Sequence, residues 1–179
     1  YFFRTFLFLL MGWIIKLFFY VIIKKDFVRR CPMKKEKSCG AIIFQWKKDE
    51  LQFLVLKMQL GHFSFPKGHV EKDETEKETA LREIKEETNL EVFIDTNFRK
   101  VITYSPFIGI LKDVVFFVAL YEKGEIIVQK EEVSEAFWLN EKETLNVLTH
   151  ESDKECFKEA LLYIKQHYQK GVKYHVFSN

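Results

Sequence analysis

Cysteine is scarce in this sequence and follows no structural pattern. The 179 residues include three cysteines, Cys31, Cys39 and Cys156, an odd number without a C-x-x-C pair. This pattern suggests neither a disulfide framework nor a zinc site. Because chains without disulfides are typical of reducing compartments, we expect this one to act in the cytoplasm.

A strong net charge is lacking as well, since the formal value is only +2. Residues 1–32 hold six basic residues and one acidic residue, which leaves 22 basic and 25 acidic residues in 33–179. A domain with a net charge of −3 does not favour a broad nucleic-acid-binding surface, so we expect no DNA partner and disfavour RNA. An anionic substrate would have to be neutralised locally, by lysines or by metal ions.

One long apolar run does occur, over residues 5–23, and Lys16 is its only charged residue. Its length is close to what a bilayer span requires, and the basic residues that follow it would keep the next domain on the cytoplasmic side. Segment 1–32 is therefore interpreted either as a membrane anchor facing the cytoplasm or as a mis-assigned start upstream of Met33. The two interpretations are left open, and neither bears on the chemistry of residues 33–179.

Apolar segments of strand length recur through residues 33–179, which we take as one domain. Two of them, residues 38–46 and 51–58, flank a short polar turn and predict a hairpin. Residues 61–68 are predicted to form a loop because of their glycine and proline content. The other predicted strands lie near residues 91–94, 99–105, 113–121 and 133–139.

Three helices are predicted from capping patterns. Thr75, Asn140 and Ser152 each precede a helical segment, and each is followed three residues later by a glutamate. The first helix is expected to end near Thr88 and the last near Tyr168. Strands and helices are mixed without strict alternation, so we expect an α+β fold, arranged as an α/β/α sandwich.

The first helix carries three closely spaced glutamates. Glu83, Glu86 and Glu87 occupy positions i, i+3 and i+4, which share one polar face of a helix. Their mutual repulsion would be relieved by a hard cation such as Mg²⁺, which binds oxygen ligands, water and substrate phosphates. Taken alone, the helix favours an ordinary solvated surface over a metal site, because charged surface helices are common.

The residues around these glutamates resemble the Nudix box along its whole length. Gly68, Glu74 and the segment 82–87 (REIKEE) stand at the spacing of the box, and Asn89 takes the place of its second glycine. Asn is the usual substitute for glycine where a helix ends in the left-handed conformation, so this departure is mild. The resemblance implies a Nudix fold, in which a mixed β-sheet lies between helices and the box forms a loop–helix–loop.

The resemblance also implies a role for each residue of the box. Glu83, Glu86 and Glu87 would bind Mg²⁺, for which Mn²⁺ is expected to substitute, and the carbonyl of Gly68 would add a ligand. Arg82 would orient the glutamates through charge-assisted hydrogen bonds. Glu74, one residue before the start of the helix, would brace the loop against it.

The stretch 61–74, GHFSFPKGHVEKDE, is more specific than the box. It is similar to a loop of the asymmetrical diadenosine tetraphosphate hydrolases, a Nudix subfamily. The similarity implies that diadenosine tetraphosphate is cut to ATP and AMP by a metal-activated water. Lys67 would bind the bridging phosphates as a point charge, and His62 and His69 would either bind phosphate oxygens or order the loop.

Two features of the subfamily lie beyond the loop. An extra metal-binding glutamate corresponds to Glu131 or Glu132, and Glu132 is favoured because it lies six residues before Trp138. The proton of the attacking water would pass to Glu83, Glu87 or Glu132, and the three remain alternatives. An aromatic side chain would stack on adenine, for which Phe116 is the first choice and Phe137 the second. The alternative for both phenylalanines is simple core packing.

Other functions remain open at this point. A Nudix pyrophosphohydrolase of another kind, acting on the 5′ end of RNA or on a nucleotide sugar, would share the box. The slightly acidic domain disfavours RNA, so the expected partner is a small-molecule nucleotide. A non-catalytic Nudix-like binding module typically loses box glutamates, whereas Glu74, Glu83, Glu86 and Glu87 are all present here.

Overall fold

The structure is a computed structural model and describes residues 33–169. This range contains seven strands and three helices. The strands are β1 (Lys34–Lys47), β2 (Glu50–Met58), β3 (Phe63–Ser64), β4 (Lys67–His69), β5 (Glu91–Tyr104), β6 (Ile110–Lys123) and β7 (Val133–Asn140). The helices are α1 (Glu76–Thr88), α2 (Glu141–Val147) and α3 (Glu151–His167).

The strands form one sheet in the order β3-β2-β1-β6-β5, with β4 paired to β1 and β7 paired to β2. The predicted hairpin is confirmed, because β1 and β2 pair in antiparallel register around Lys48 and Asp49. Both turn residues have positive φ, 45° and 71°. Such turns match the right-handed twist of the strands that they join.

Two of the predicted strands, near 91–94 and 99–105, prove to be one. β5 runs through the intervening residues and pairs with β6 on both sides of an irregularity between Asp95 and Arg99. The Asp95 carboxylate accepts the backbone N–H of Asn97 at 2.9 Å, which supports the irregular backbone locally. The predicted loop over 61–68 likewise contains two short strands, β3 and β4.

Side chains of the central strands alternate between two cores, one on each face of the sheet, because successive strand residues point to opposite faces. On β6, for example, Phe116 belongs to one core and Phe117 to the other. Phe157 of α3 packs in the first core, and Ile84 of α1 packs in the second. Helices thus cover both faces of the sheet, which confirms the expected α+β class and its α/β/α layers.

The capping predictions hold for two of the three helices. Thr75 caps α1 in a capping box with Glu78, and Asn140 caps α2 in the same way with Glu143. α1 ends at Asn89, whose φ of 61° lies in the left-handed region expected there. The prediction that Ser152 caps the last helix is wrong.

The last helix, α3, begins before Ser152. The backbone N–H groups of Asp153 and Lys154 already donate to the carbonyl of His150, so the helical ladder starts at that residue. His150 is the N-cap and makes no side-chain capping bond. Ser152 therefore lies within the first turn.

Within the described residues, 33–35 and 105–111 belong to one compact unit, and 36–104 and 112–169 belong to a second. In the first unit, the N–H of Lys34 donates to the carbonyl of Gly109 at 2.8 Å. The second unit contains all three helices and most of the sheet. No helix within residues 33–169 is long and apolar enough to cross a membrane. The apolar run over 5–23 lies outside the described residues.

Candidate active site

The three glutamates of α1 lie in different environments. Glu83 is 9% exposed and Glu87 only 1% exposed, whereas Glu86 faces solvent. Periodicity places Glu87 on the same face as Glu83, but this position is buried and not solvated. Its carboxylate turns towards β4, where it accepts the backbone N–H of Lys67 at 3.0 Å.

Arg82 is the cation around which the acidic residues gather. Its Nη1 donates to Glu83 at 2.8 Å and to Glu86 at 3.1 Å. Nε and Nη2 donate to the two oxygens of Glu74 at 2.6 and 3.0 Å, and Nη2 also donates to the carbonyl of His69 at 2.9 Å. These contacts are the ones that an orienting role requires, because the rigid guanidinium fixes several acceptors at once.

Gly68 lies where β4 passes close to α1. A Cβ atom built on this residue would overlap the carboxylate of Glu83, so no larger residue fits without a shift. β4 is held in this position by its pairing with β1, in which Gly68 faces Cys39. The geometry explains why glycine stands at this point in the loop.

Burial changes the ionisation of the acidic residues unequally. It raises the pKa of Glu87 to about 8, and Lys67 opposes the shift. Burial also raises the pKa of Glu83, against the hydrogen bond from Arg82. Hydrogen bonds from Arg82 and Thr79 hold the pKa of Glu74 at about 2. A second cation near Glu83 and Glu87 would favour their ionised forms.

A cavity of about 410 Å³, which we call the carboxylate cavity, lies beside α1. Glu83 and Glu86 line it together with Glu132, which lies in the turn before β7. Glu131 is exposed and is not among the lining residues, so the geometry favours Glu132 of the two candidates. Glu87 does not line the cavity either, although it lies on the same helix.

The carboxylate cavity suits a hard cation by its chemistry. Its donors are carboxylate oxygens and the backbone at Gly68, and Mg²⁺ prefers oxygen ligands of this kind. Across residues 33–169, no three acidic, histidine or cysteine side chains are arranged so that they could hold a metal ion together. Arg82 occupies oxygens of both Glu83 and Glu86, so a cation would have to share or replace those contacts.

Basic residues line the same cavity. Lys67, His69 and Lys112 all contribute to it, and the Lys112 Nζ lies 3.5 Å from the His69 Nε2. Burial and the charge of Lys67 lower the pKa of Lys112. A bound anion would stabilise the charged forms of both lysines, so this side of the cavity is suited to phosphate groups.

A second cavity, of about 290 Å³, shares Lys67 with the first, and we call it the Tyr104 cavity. Its walls come from the ends of β5 and β6, the β3 region and the start of α3. Ile102 and Val114 supply apolar surface, and Tyr104 is 43% exposed. Its volume is at the lower end of the range for small-ligand pockets.

His62 lies in the Tyr104 cavity and not with His69 in the carboxylate cavity. Its ring is 5.9 Å from that of His150, measured between centroids. Burial, Lys67 and His150 lower the pKa of His62, so the ring is neutral at neutral pH. It can hydrogen-bond a ligand but adds no charge for phosphate binding.

The choice of Phe116 as a base-stacking residue is wrong. Its side chain is fully buried and meets Phe65 edge-on, with ring centroids 6.0 Å apart. Both faces of β6 are covered by core side chains, so a residue at the centre of this strand cannot reach a ligand. Phe137 is half-buried near Phe63 and lines neither cavity, so its role stays a prediction without support.

Several residues of the two cavities were missed from the sequence. Tyr104 is the most important, because it is the aromatic side chain in the wall of the second cavity. The available signal was its position at the end of a strand just before Ser105-Pro106, where a side chain escapes the core. The other missed residues include Ser64, Lys112, Gln129, His150 and Asp153.

Comparison with known protein families gives one match over most of the chain. A family model described as the NUDIX domain matches residues 34–161. Among curated relatives is the asymmetrical bis(5′-nucleosyl)-tetraphosphatase of Rattus norvegicus, 30% identical over 140 residues. The match covers 69% of this chain and 92% of the relative. The enzyme of the same name from Mus musculus is 29% identical over the same shares.

Solved structures give the same fold. The binary complex of C. elegans Ap4A hydrolase superimposes with a TM-score of 0.68 at 21% identity, over 73% of this chain and 98% of the other. The NUDIX domain of Shewanella oneidensis NrtR, complexed with ADP ribose, gives a TM-score of 0.64 at 19% identity, over 73% and 89%. At these sequence identities the superpositions show only that the fold is shared.

Proposed function

The chain belongs to the Nudix family and is a hydrolase of phosphoanhydride bonds, and we propose that its substrates are dinucleoside polyphosphates. Diadenosine tetraphosphate would be cut asymmetrically, to ATP and AMP. The proposal is supported by the curated relatives, which are asymmetrical bis(5′-nucleosyl)-tetraphosphatases. It is supported independently by the arrangement of the two cavities.

The observation that carries the proposal is that Lys67 lines both cavities. The Tyr104 cavity has the size and the apolar walls to take one nucleoside. The carboxylate cavity holds the acidic and basic groups that suit a phosphate chain. A dinucleotide with its base in the first would pass its phosphates over Lys67 into the second, so that one particular phosphorus lies beside the acids.

The phosphate chain would be held by this protein's own cations. Lys67 and Lys112 both face the carboxylate cavity, and lysine acts on phosphates as a point charge. Arg82 is already committed to Glu74, Glu83 and Glu86, so it would orient the acids and leave substrate binding to the lysines.

We propose Mg²⁺ as the cofactor, with Mn²⁺ able to substitute. The residues that would hold it are Glu83, Glu86, Glu87 and Glu132, with the carbonyl of Gly68, and within residues 33–169 these side chains would have to shift before they could meet at one ion. When bound, the cation would lower the pKa of the attacking water and neutralise charge on the phosphates. The acidic residues must also accept the proton that water loses. Glu83 and Glu132 line the cavity and Glu87 does not, which favours the first two as the base.

We further propose that residues 33–169 contain everything that the reaction needs and that the enzyme acts in the cytoplasm. Every residue assigned above lies in this range. A chain starting at Met33 is expected to fold and to match the turnover of the full chain. Loss of solubility or turnover in the shorter chain, with the full chain well behaved, would place residues 1–32 in the functional unit.

The experiment that tests the proposal is product analysis with Mg²⁺ and a panel of substrates. Diadenosine tetraphosphate should disappear with equal formation of ATP and AMP, which chromatography separates from ADP. Two molecules of ADP as the main product would reject asymmetric cleavage. Rapid turnover of a nucleotide sugar or of triphosphorylated RNA, with diadenosine tetraphosphate untouched, would reject the substrate class while leaving the family chemistry in place.

A further inference from the structure

Asp153 places a buried carboxylate in the wall of the Tyr104 cavity. Its side chain is 6% exposed and lies in the first turn of α3. Ser64 Oγ donates to its Oδ2 at 3.2 Å, and no other side-chain hydrogen bond to this carboxylate occurs within residues 33–169. Asp153 is also the one acidic residue in the lining of this cavity.

A carboxylate in such a place needs hydrogen-bond donors. Burying an ionised acid is costly unless its oxygens are paired, and one hydroxyl leaves most of its acceptor capacity unused. The other polar neighbours in the lining include His62 and His150, neither of which donates to it in this structure. The remaining donors must therefore come from water or from a ligand that enters the cavity and displaces it.

The walls around Asp153 indicate which part of a nucleotide lies there. Ile102, Val114 and Tyr104 present apolar and aromatic surface, which suits a flat base. Lys67 marks the side that opens to the phosphate groups, because it also lines the carboxylate cavity. The base is the part of a nucleotide that both fills an apolar cavity and carries N–H donors along its edge.

We propose that Asp153 is a specificity-determining residue, whose carboxylate accepts a hydrogen bond from an N–H group on the edge of the bound base. The inference rests on the proposed function, in that the Tyr104 cavity holds a nucleoside. Adenine offers its 6-amino group, and guanine offers its 1-imino and 2-amino groups. Unsubstituted purine has the same shape without such a donor, so it would leave the carboxylate unpaired and bind weakly.

Binding to the full chain, measured by calorimetry, tests this directly. The probes are AMP and purine riboside 5′-monophosphate, which differ only in the 6-amino group. Hydrogen bonds to charged groups contribute enough that the wild type should bind AMP roughly tenfold or more tightly. Asp153→Leu removes the acceptor at similar volume, and it should bind the two nucleotides with equal affinity.

Two controls separate this role from a structural one. Glu151→Gln changes an exposed acid in the same helical turn, and it should keep the wild-type preference. Asp153→Leu does not leave the Ser64 hydroxyl without a partner, because Ser64 Oγ also donates to the Phe65 carbonyl. A thermal unfolding curve reports whether this variant folds. A wild type that lacks the preference already rejects the inference, and only the variant can assign an observed preference to Asp153.

Several outcomes would overturn the inference. Equal binding of the two nucleotides by the wild type, or no binding of either, would do so. So would an unchanged preference for AMP in folded Asp153→Leu. If 2′-deoxy- or 3′-deoxy-AMP loses the affinity and the purine analogue does not, the carboxylate recognises the ribose instead.

Turnover of diadenosine tetraphosphate is measured separately, so the two proposals can fail independently. A clear preference for AMP that Asp153→Leu abolishes, without turnover of diadenosine tetraphosphate, would reject the proposed reaction but support the role of Asp153. Turnover without the preference would do the reverse.

Discussion

The carboxylate cavity and the Tyr104 cavity share Lys67 but are built differently. The first is lined by charged groups of both signs, and two of its acids, Glu83 and Glu86, are held in place by hydrogen bonds from Arg82. The second combines apolar and aromatic surface from β5 and β6 with polar side chains, among which Asp153 is the single acid. The first arrangement suits the stabilisation of charge, and the second suits the placement of a base.

This difference predicts that the two cavities contribute to different kinetic constants. Groups that act on developing charge affect turnover, because their interactions strengthen in the transition state. Groups that contact a base far from the reacting phosphorus hold substrate and transition state alike, so their loss raises KM. Variants in each cavity therefore test whether kcat and KM respond separately.

The largest expected effect lies in neither cavity. Phe116→Ala should lower the free energy of unfolding by about 3–5 kcal/mol, because it removes a fully buried ring from the core. Urea unfolding measures the loss. Phe107→Ala on the turn between β5 and β6 is the control, since that ring is exposed and should contribute little. A rise in KM without loss of stability would instead show that Phe116 contacts the substrate.

The next effect belongs to the carboxylate cavity. Glu86→Gln should lower kcat by roughly a hundredfold or more, because one anionic ligand of the proposed cation is lost. The fold should be unaffected, as this side chain faces solvent. Glu131→Gln is the matched control, an exposed glutamate outside the cavity, and it should keep wild-type kcat. Near-normal turnover of Glu86→Gln would remove the metal-site hypothesis.

A smaller effect is expected in the Tyr104 cavity. Tyr104→Ala should raise KM for diadenosine tetraphosphate roughly tenfold with little change in kcat, because it removes a base-stacking surface. Tyr104→Phe keeps the ring and should stay close to wild type. Steady-state kinetics on both variants decides the matter. A fall in kcat at unchanged KM would show that the Tyr104 cavity affects turnover and not substrate binding.

The smallest effect tests the departure of Asn89 from the box. Asn89→Gly should change the free energy of unfolding by less than about 1 kcal/mol, since glycine adopts positive φ freely. Glycine should stabilise the left-handed backbone at this position. The hydrogen bond from the Asn89 side chain to the carbonyl of Glu125 is lost, which offsets part of that stabilisation. Both cavities, and therefore kcat and KM, should be unchanged. A marked fall in kcat would show that the site depends on this side chain.

The two cavities also differ in how far the sequence predicts them. Glu83, Glu86 and Arg82 follow one another on a single helix, so their neighbourhood is local and a spacing pattern captures it. The Tyr104 cavity is assembled from residues that are distant in sequence, such as Ser64, Tyr104 and Asp153. Their proximity depends on strand order and on the start of α3, neither of which a local pattern encodes.

Errors in the sequence predictions have the same origin. Phe116 satisfies the pattern of a strand aromatic, but only the layering of helices on both faces decides that it is buried. Glu87 shares the polar face of α1 by periodicity, yet the close approach of β4 buries it. The helices and strands themselves were predictable because caps and apolar alternation are local signals.

A base held in the Tyr104 cavity is expected to fix which phosphorus reaches the acids of the carboxylate cavity. Product analysis with diadenosine tetraphosphate and diadenosine pentaphosphate tests it most directly. If the distance from base to acids is fixed, both substrates are cut at the same number of phosphates from one adenosine. One nucleotide, either ATP or AMP, is then a product of both. Cleavage of the longer substrate at two positions, which would give AMP with adenosine tetraphosphate as well as ATP with ADP, would show that the distance is not fixed.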